Sequence, residues 1–144
     1  MLLRADGKVE ALRALPLFEL CSKRDLRRIA ALADERELDE GTVLTTEGEP
    51  GREFYVVLDG EVEVRRRGRR VARLPAGSYV GEIALLSRSP RTATVTAVTP
   101  LRALTITADA FVELLDAMPE LGLKVARTLA DRVDADEAMD SART

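Results

Sequence analysis

The apolar pattern of this 144-residue chain changes period twice. Up to about Ala33, apolar residues recur every three or four positions. From Glu35 to Ile106 they come in short alternating runs broken by glycine, and beyond Thr107 the helical spacing returns. In the first region, Val9 to Leu15 reads as a short helix stopped by Leu15-Pro16. Ser22, with Asp25 three residues on, is an N-cap with its capping partner. The helix that follows should bury Leu26, Ile29, Ala30 and Ala33 and leave Lys23, Arg24, Arg27 and Arg28 wet. That basic face reads as a solvated helix surface in preference to a nucleic-acid surface.

In the middle region, Arg36 to Asp39 runs into a turn at Glu40-Gly41, and Thr42 to Thr46 is strand-like. Glu47-Gly48-Glu49-Pro50-Gly51 is a loop. Phe54 to Leu58 and Glu61 to Arg65 flank Asp59-Gly60, the dipeptide of a two-residue hairpin. A second hairpin is expected at Gly68, with Val71, Ala72 and Leu74 on the returning strand. Its arginine run, Arg65-Arg66-Arg67-Gly68-Arg69-Arg70, reads as an exposed turn whose charges repel aggregation, in preference to a binding tip. Thr92, Thr94 and Thr96 alternate with Ala93, Val95 and Ala97, a period of two. Thr99-Pro100 ends that strand and Leu101 to Ile106 forms another.

Thr107 or Asp109 can cap the next helix, with Phe111, Leu114, Leu115 and Met118 as its buried stripe. Pro119 opens a last helix in the favoured first turn. There Leu121, Val125, Leu129 and Val133 recur every four residues, a stripe that suits core packing, a homodimer seam or a lid over a ligand. Residues from Asp134 are acidic and expected to fray. Many short strands with glycine turns between flanking helices make a mainly β chain, a jelly-roll or barrel.

Length allows one domain, residues 1–144, with a core over about 15–133. Hydrophobic residues make up 46% and charged residues 33%, a globular composition. No apolar run approaches the roughly 20 residues of a membrane helix, and the N-terminus lacks a signal peptide's apolar core. A single cysteine, Cys21, cannot form an internal disulfide, so a cytoplasmic setting is expected. The chain has no histidine, which removes triad hydrolases, imidazole bases and His-ligated metal centres. A formal net charge of −3 argues against general nucleic-acid affinity. A binding module is expected, with no enzyme activity, metal or cofactor.

The residues with the most specific chemistry are Gly81-Glu82-Ile83-Ala84-Leu85-Leu86, followed by Pro90-Arg91-Thr92-Ala93-Thr94-Val95. A glycine turn opening a helical turn presents free N–H groups to an anion. Arg91 adds a planar fork of donors for phosphate. Glu82 would face a phosphate badly but suits a sugar hydroxyl beside it. Phosphate, sugar hydroxyl and an apolar face together describe a nucleotide.

These residues resemble the phosphate-binding cassette of cyclic nucleotide-binding domains, and the likeness runs from about Leu15 to Val133. It implies an eight-stranded β-roll with an N-terminal helical segment and two C-terminal helices. It implies that Arg91 pairs with the cyclic phosphate, that Glu82 accepts from the ribose 2′-OH, and that the Ala84 and Ile83 N–H groups reach the phosphate. Gly81 then allows close backbone approach, Thr92 bonds phosphate or base, and Ala93 leaves room. Val125, Leu129 or Arg132 on the last helix are candidates to cap the base. Val80 stands where the family often has an aromatic residue, which loosens the wall near the ribose. Thr92 leaves the base preference between cAMP and cGMP open, with cAMP favoured. The function expected is a sensor that signals by movement of its C-terminal helices. The signal would pass to an unidentified effector protein or to an output domain elsewhere. The rival reading is a ligand-free β-roll used for protein interaction.

Overall fold

The computed structural model describes residues 3–81, 90–128 and 130–131. The first helix, α1 (Ala5–Arg13), starts four residues earlier than the apolar pattern suggests. Asp6 in its first turn complements the helix dipole there, and Val9 and Leu12 are buried. Pro16 opens a 3₁₀ turn, Pro16–Phe18, which drives Leu17 and Phe18 into the core. Helix α2 (Lys23–Ala30) begins with the expected capping box. The Asp25 N–H donates to Ser22 Oγ at 3.1 Å, and the Ser22 N–H donates to Asp25 Oδ2 at 2.9 Å. Its expected inward face, Leu26, Ile29 and Ala30 followed by Ala33, is buried.

Eight strands follow among the described residues: β1 (Asp34–Leu38), β2 (Val43–Thr45), β3 (Glu53–Asp59), β4 (Val62–Arg66), β5 (Arg69–Leu74), β6 (Tyr79–Val80), β7 (Thr94–Ala97) and β8 (Leu101–Thr107). They form two four-stranded antiparallel sheets, ordered β1-β8-β3-β6 and β2-β7-β4-β5. This is the expected β-roll, with helices against the outer face of the first sheet.

One turn departs from expectation. Asp59-Gly60 does not close a hairpin: β3 pairs with β6 and β8, whereas β4 pairs with β5 and β7 in the other sheet. Gly60 therefore marks a corner where the chain changes sheets. Its φ is 95°, and a Cβ there would lie 2.5 Å from the Pro100 carbonyl oxygen and 2.7 Å from Thr99 Oγ1. The glycine is required by close packing under the β7–β8 turn. The hairpin at Gly68 is present, with Arg66 opposite Arg69.

Two clusters make up the core. Helices and first sheet enclose Leu12, Phe18, Phe54, Leu104, Ile106 and Phe111 among others. Between the sheets lie smaller residues, including Leu44, Val57, Val62, Val80, Val95, Ala97 and Ala103. Helix α3 (Ala108–Ala117) is capped by Thr107 Oγ1, which accepts from the Ala110 N–H at 3.3 Å. After Pro119 the last helix, α4, occupies residues 119–128. Its Leu121 and Val125 are fully inside the helical cluster. These two members of the four-residue stripe thus serve as core; Val133 and the Leu129 side chain lie outside the described residues. No helix among the described residues is long and apolar enough to cross a membrane.

Candidate functional site

Strand β6 is only two residues long and pairs with β3, Tyr55 opposite Val80. It delivers the chain to Gly81 at a φ of 81°, a left-handed conformation that a side chain resists. The space over Gly81 is filled by the Arg91 guanidinium. A Cβ on Gly81 would collide with Nη1 of Arg91 and lie 2.9 Å from its Cζ. Gly81 and Arg91, ten positions apart in sequence, are therefore packed face to face; the positive φ favours glycine, and a side chain there would push the guanidinium aside.

Arg91 is anchored by its backbone to the β2–β3 loop. Its N–H donates to the Glu49 carbonyl at 2.7 Å, and its own carbonyl accepts from the Gly48 N–H at 2.8 Å. Pro50 and Pro90 form an isolated bridge beside these bonds. The next residues are fixed by strand β2: Thr45 Oγ1 donates to the Ala93 carbonyl at 3.0 Å, and the Glu47 N–H donates to Thr94 Oγ1 at 3.0 Å. Ala93 is buried and Thr92 is exposed.

The guanidinium itself donates through Nη2 to the Glu53 backbone carbonyl. Partial burial lowers its pKa from the ordinary arginine value, opposed by the nearby Tyr55 and Glu53 side chains. Tyr55 is in turn pushed up, first by burial and then by Glu53. The Glu53 carboxylate is shared with Arg36 at 3.6 Å. Beside Arg91 opens a cleft of about 500 Å³ whose walls include Thr45, Glu49, Arg52, Glu53 and Tyr55. Its size falls within the range of small-molecule sites, roughly 300–1,000 Å³. A half-buried guanidinium that makes one side-chain hydrogen bond among the described residues, held on a glycine turn at the edge of such a cleft, is equipped to bind a small anion.

Of the residues singled out in the sequence, the structure brings together Gly81 and Arg91, buries Ala93 and leaves Thr92 exposed. Glu82, Ile83 and Ala84 lie outside the described residues, as do Arg132 and the Leu129 side chain. Val125 is fully buried among the helices, in the cluster with Phe111 and Leu121. Sequence reasoning missed the support given by Glu49, Glu53 and Tyr55. Those partners stand 36 to 42 positions from Arg91, where no local pattern joins them; a phenol inside the apolar run Phe54 to Leu58 was the available signal.

The model for the cyclic nucleotide-binding domain matches residues 35–118, which contain both sheets, Gly81 and Arg91. A cAMP-dependent protein kinase regulatory subunit from Yarrowia lipolytica is 40% identical over 106 residues, 72% of this chain and 28% of that protein. The chain spans about a quarter of the length of the curated relatives it matches. Among solved structures, the N-terminal domain of a transcriptional regulator from Streptomyces coelicolor A3(2) superposes with a TM-score of 0.78 at 30% identity, covering 88% of this chain and 94% of that one. A cyclic nucleotide-binding domain from Methylobacillus flagellatus KT gives 0.76 at 28% identity, covering 96% and 81%. With the family model spanning more than half of its length, from strand β1 through helix α3, the chain belongs to the cyclic nucleotide-binding domain family.

Proposed function

We propose that this chain is a cyclic-nucleotide sensor without catalytic activity, with cAMP preferred over cGMP as its ligand. The observation that carries the reading is the Arg91 guanidinium packed on Gly81, directly before Glu82-Ile83-Ala84. In this reading Arg91 meets the cyclic phosphate together with the N–H groups of Ile83 and Ala84. Glu82 accepts from the ribose 2′-OH, while Thr92 and Ala93 border phosphate and base. The Yarrowia relative is named as a cAMP-dependent regulatory subunit, which supports cAMP. Since Val125 serves as core, Leu129 or Arg132 is the better candidate to cover the base.

The output would pass through the last helix to an effector protein or an attached output domain. Ligand moves that helix only by binding one of its positions more tightly than the other. Lys124 Nζ on this helix donates to Asp25 Oδ2 on α2 at 2.7 Å, a contact that such a movement would have to keep or break. The rival reading, a ligand-free interaction module, draws on the Glu53 carbonyl accepting from Arg91, a partner within the protein that holds the arginine in place without a ligand.

Titration calorimetry with cAMP, cGMP and 5′-AMP separates the two. The sensor reading expects cAMP to bind more tightly than cGMP, and 5′-AMP to bind least because it lacks the cyclic diester. Absence of heat with all three nucleotides at millimolar concentration would favour the interaction module.

A further inference from the structure

The β4–β5 hairpin carries an arginine run that nucleotide binding leaves unused. Its lower part is neutralised from within: Arg65 pairs with Glu63 and Arg73 with Glu61. Glu47, from the β2–β3 loop, accepts the Arg67 backbone N–H at 3.0 Å and fixes the turn. Above these pairs Arg66, Arg67, Arg69 and Arg70 are exposed, and none has an ion pair among the described residues.

Two features make this tip costly to hold. The register sets Arg65 opposite Arg70 and Arg66 opposite Arg69, and like charges facing across a strand pair are destabilising. Arg67 also adopts a φ of 53°, the one non-glycine residue at positive φ among those described. Arg67 and Gly68 are the two central residues of a turn that needs positive φ at both positions, where Asn-Gly or Asp-Gly would sit at ease. A hairpin selected only for solubility would mix charges and keep the easier turn. The arrangement instead presents a fixed cluster of guanidinium groups.

We infer that the Arg66–Arg70 tip docks an acidic protein segment. Below the tip, the arginines with partners are paired with carboxylates, and a partner offering carboxylates extends the same pairing outward. Guanidinium matches carboxylate through two parallel hydrogen bonds. The net charge of −3 favours a short acidic segment over an extended polyanion. Duplex DNA or an anionic bilayer would meet the acidic body as well as the tip, whereas a short segment touches the tip alone.

The test is titration of the ¹⁵N-labelled full chain at low salt with a hexaglutamate peptide, with duplex DNA and phosphatidylserine vesicles in parallel. The peptide should shift the amide signals of residues 66–70. Its affinity should fall about ten-fold in the combined Arg66→Gln, Arg69→Gln, Arg70→Gln variant, the effect of three exposed pairs together. It should be largely lost at about 1 M salt. A second variant, Arg67→Asn, should bind the peptide more weakly while its Tm rises by about 3 °C, because the turn is relieved. No shift at the tip, tighter binding of DNA or vesicles than of peptide, or a lower Tm in the Arg67→Asn variant would overturn the inference.

Discussion

The two core clusters of this domain are built from different materials. On the helical side the core is made of three phenylalanines and long aliphatic side chains: Phe18, Phe54 and Phe111 are each at most 1% exposed. Between the sheets the residues are shorter, chiefly valine and alanine, and the layer gives way to the cleft at Tyr55 and Arg91. Burial of large apolar surface concentrates stability on the helical side. Small residues and a glycine turn leave room for a ligand on the other. Substitutions on the first side should therefore act on folding, and those on the second on binding.

The largest expected effect lies on the helical side. Phe111→Ala empties a fully buried site packed 6.0 Å from the Phe18 ring and should lower stability by about 3–5 kcal/mol, measured by urea unfolding. If the cost were under 1 kcal/mol, the division between the clusters would not hold. Gly81→Ala should cost less, about 1–2 kcal/mol for a side chain in the left-handed region. It should also weaken nucleotide binding, though less than loss of Arg91, because the new methyl group shifts the guanidinium without removing its charge. Calorimetry of this variant reads binding apart from folding.

The smallest effect concerns the contact between α4 and α2. Burial raises the Asp25 carboxyl, but the bonds from Lys124 and Ser22 outweigh it and hold the group below the usual carboxylate range. A depressed pKa gives stability that is present above the unfolded value of about 4 and is lost as pH falls through the folded value. Tm measured from about pH 7 downward should thus drop in acid more steeply in the wild type than in Asp25→Asn. Equal acid sensitivity in both would remove this pair from the account.

Much of this architecture was legible in local pattern. The Ser22–Asp25 capping box, the turn at Gly68 and the Thr107 cap follow from neighbouring residues alone, and the structure contains each; the strand expected from the alternation at Thr92 to Ala97 is present from Thr94. Asp59-Gly60 carries an even stronger hairpin signal and yet is a corner between sheets. Its glycine answers to Pro100 and Thr99, some forty positions away, which the dipeptide cannot announce. The site divides in the same way. Gly81 and Arg91 stand out because their chemistry is written in the motif. The Glu53 carbonyl and the Glu49 bond that hold Arg91 are backbone contacts, available to any residue type, and leave no trace in the sequence.

If Arg91 on Gly81 is the phosphate-binding centre of a nucleotide sensor, thermal unfolding with and without ligand shows it most directly. At 100 times Kd, cAMP should add about 2.7 kcal/mol, a Tm rise on the order of 5–10 °C. The rise should be smaller with the same concentration of cGMP and absent in Arg91→Ala, which itself stays folded. No rise with either nucleotide in the folded wild type, or an equal rise in Arg91→Ala, would contradict the account.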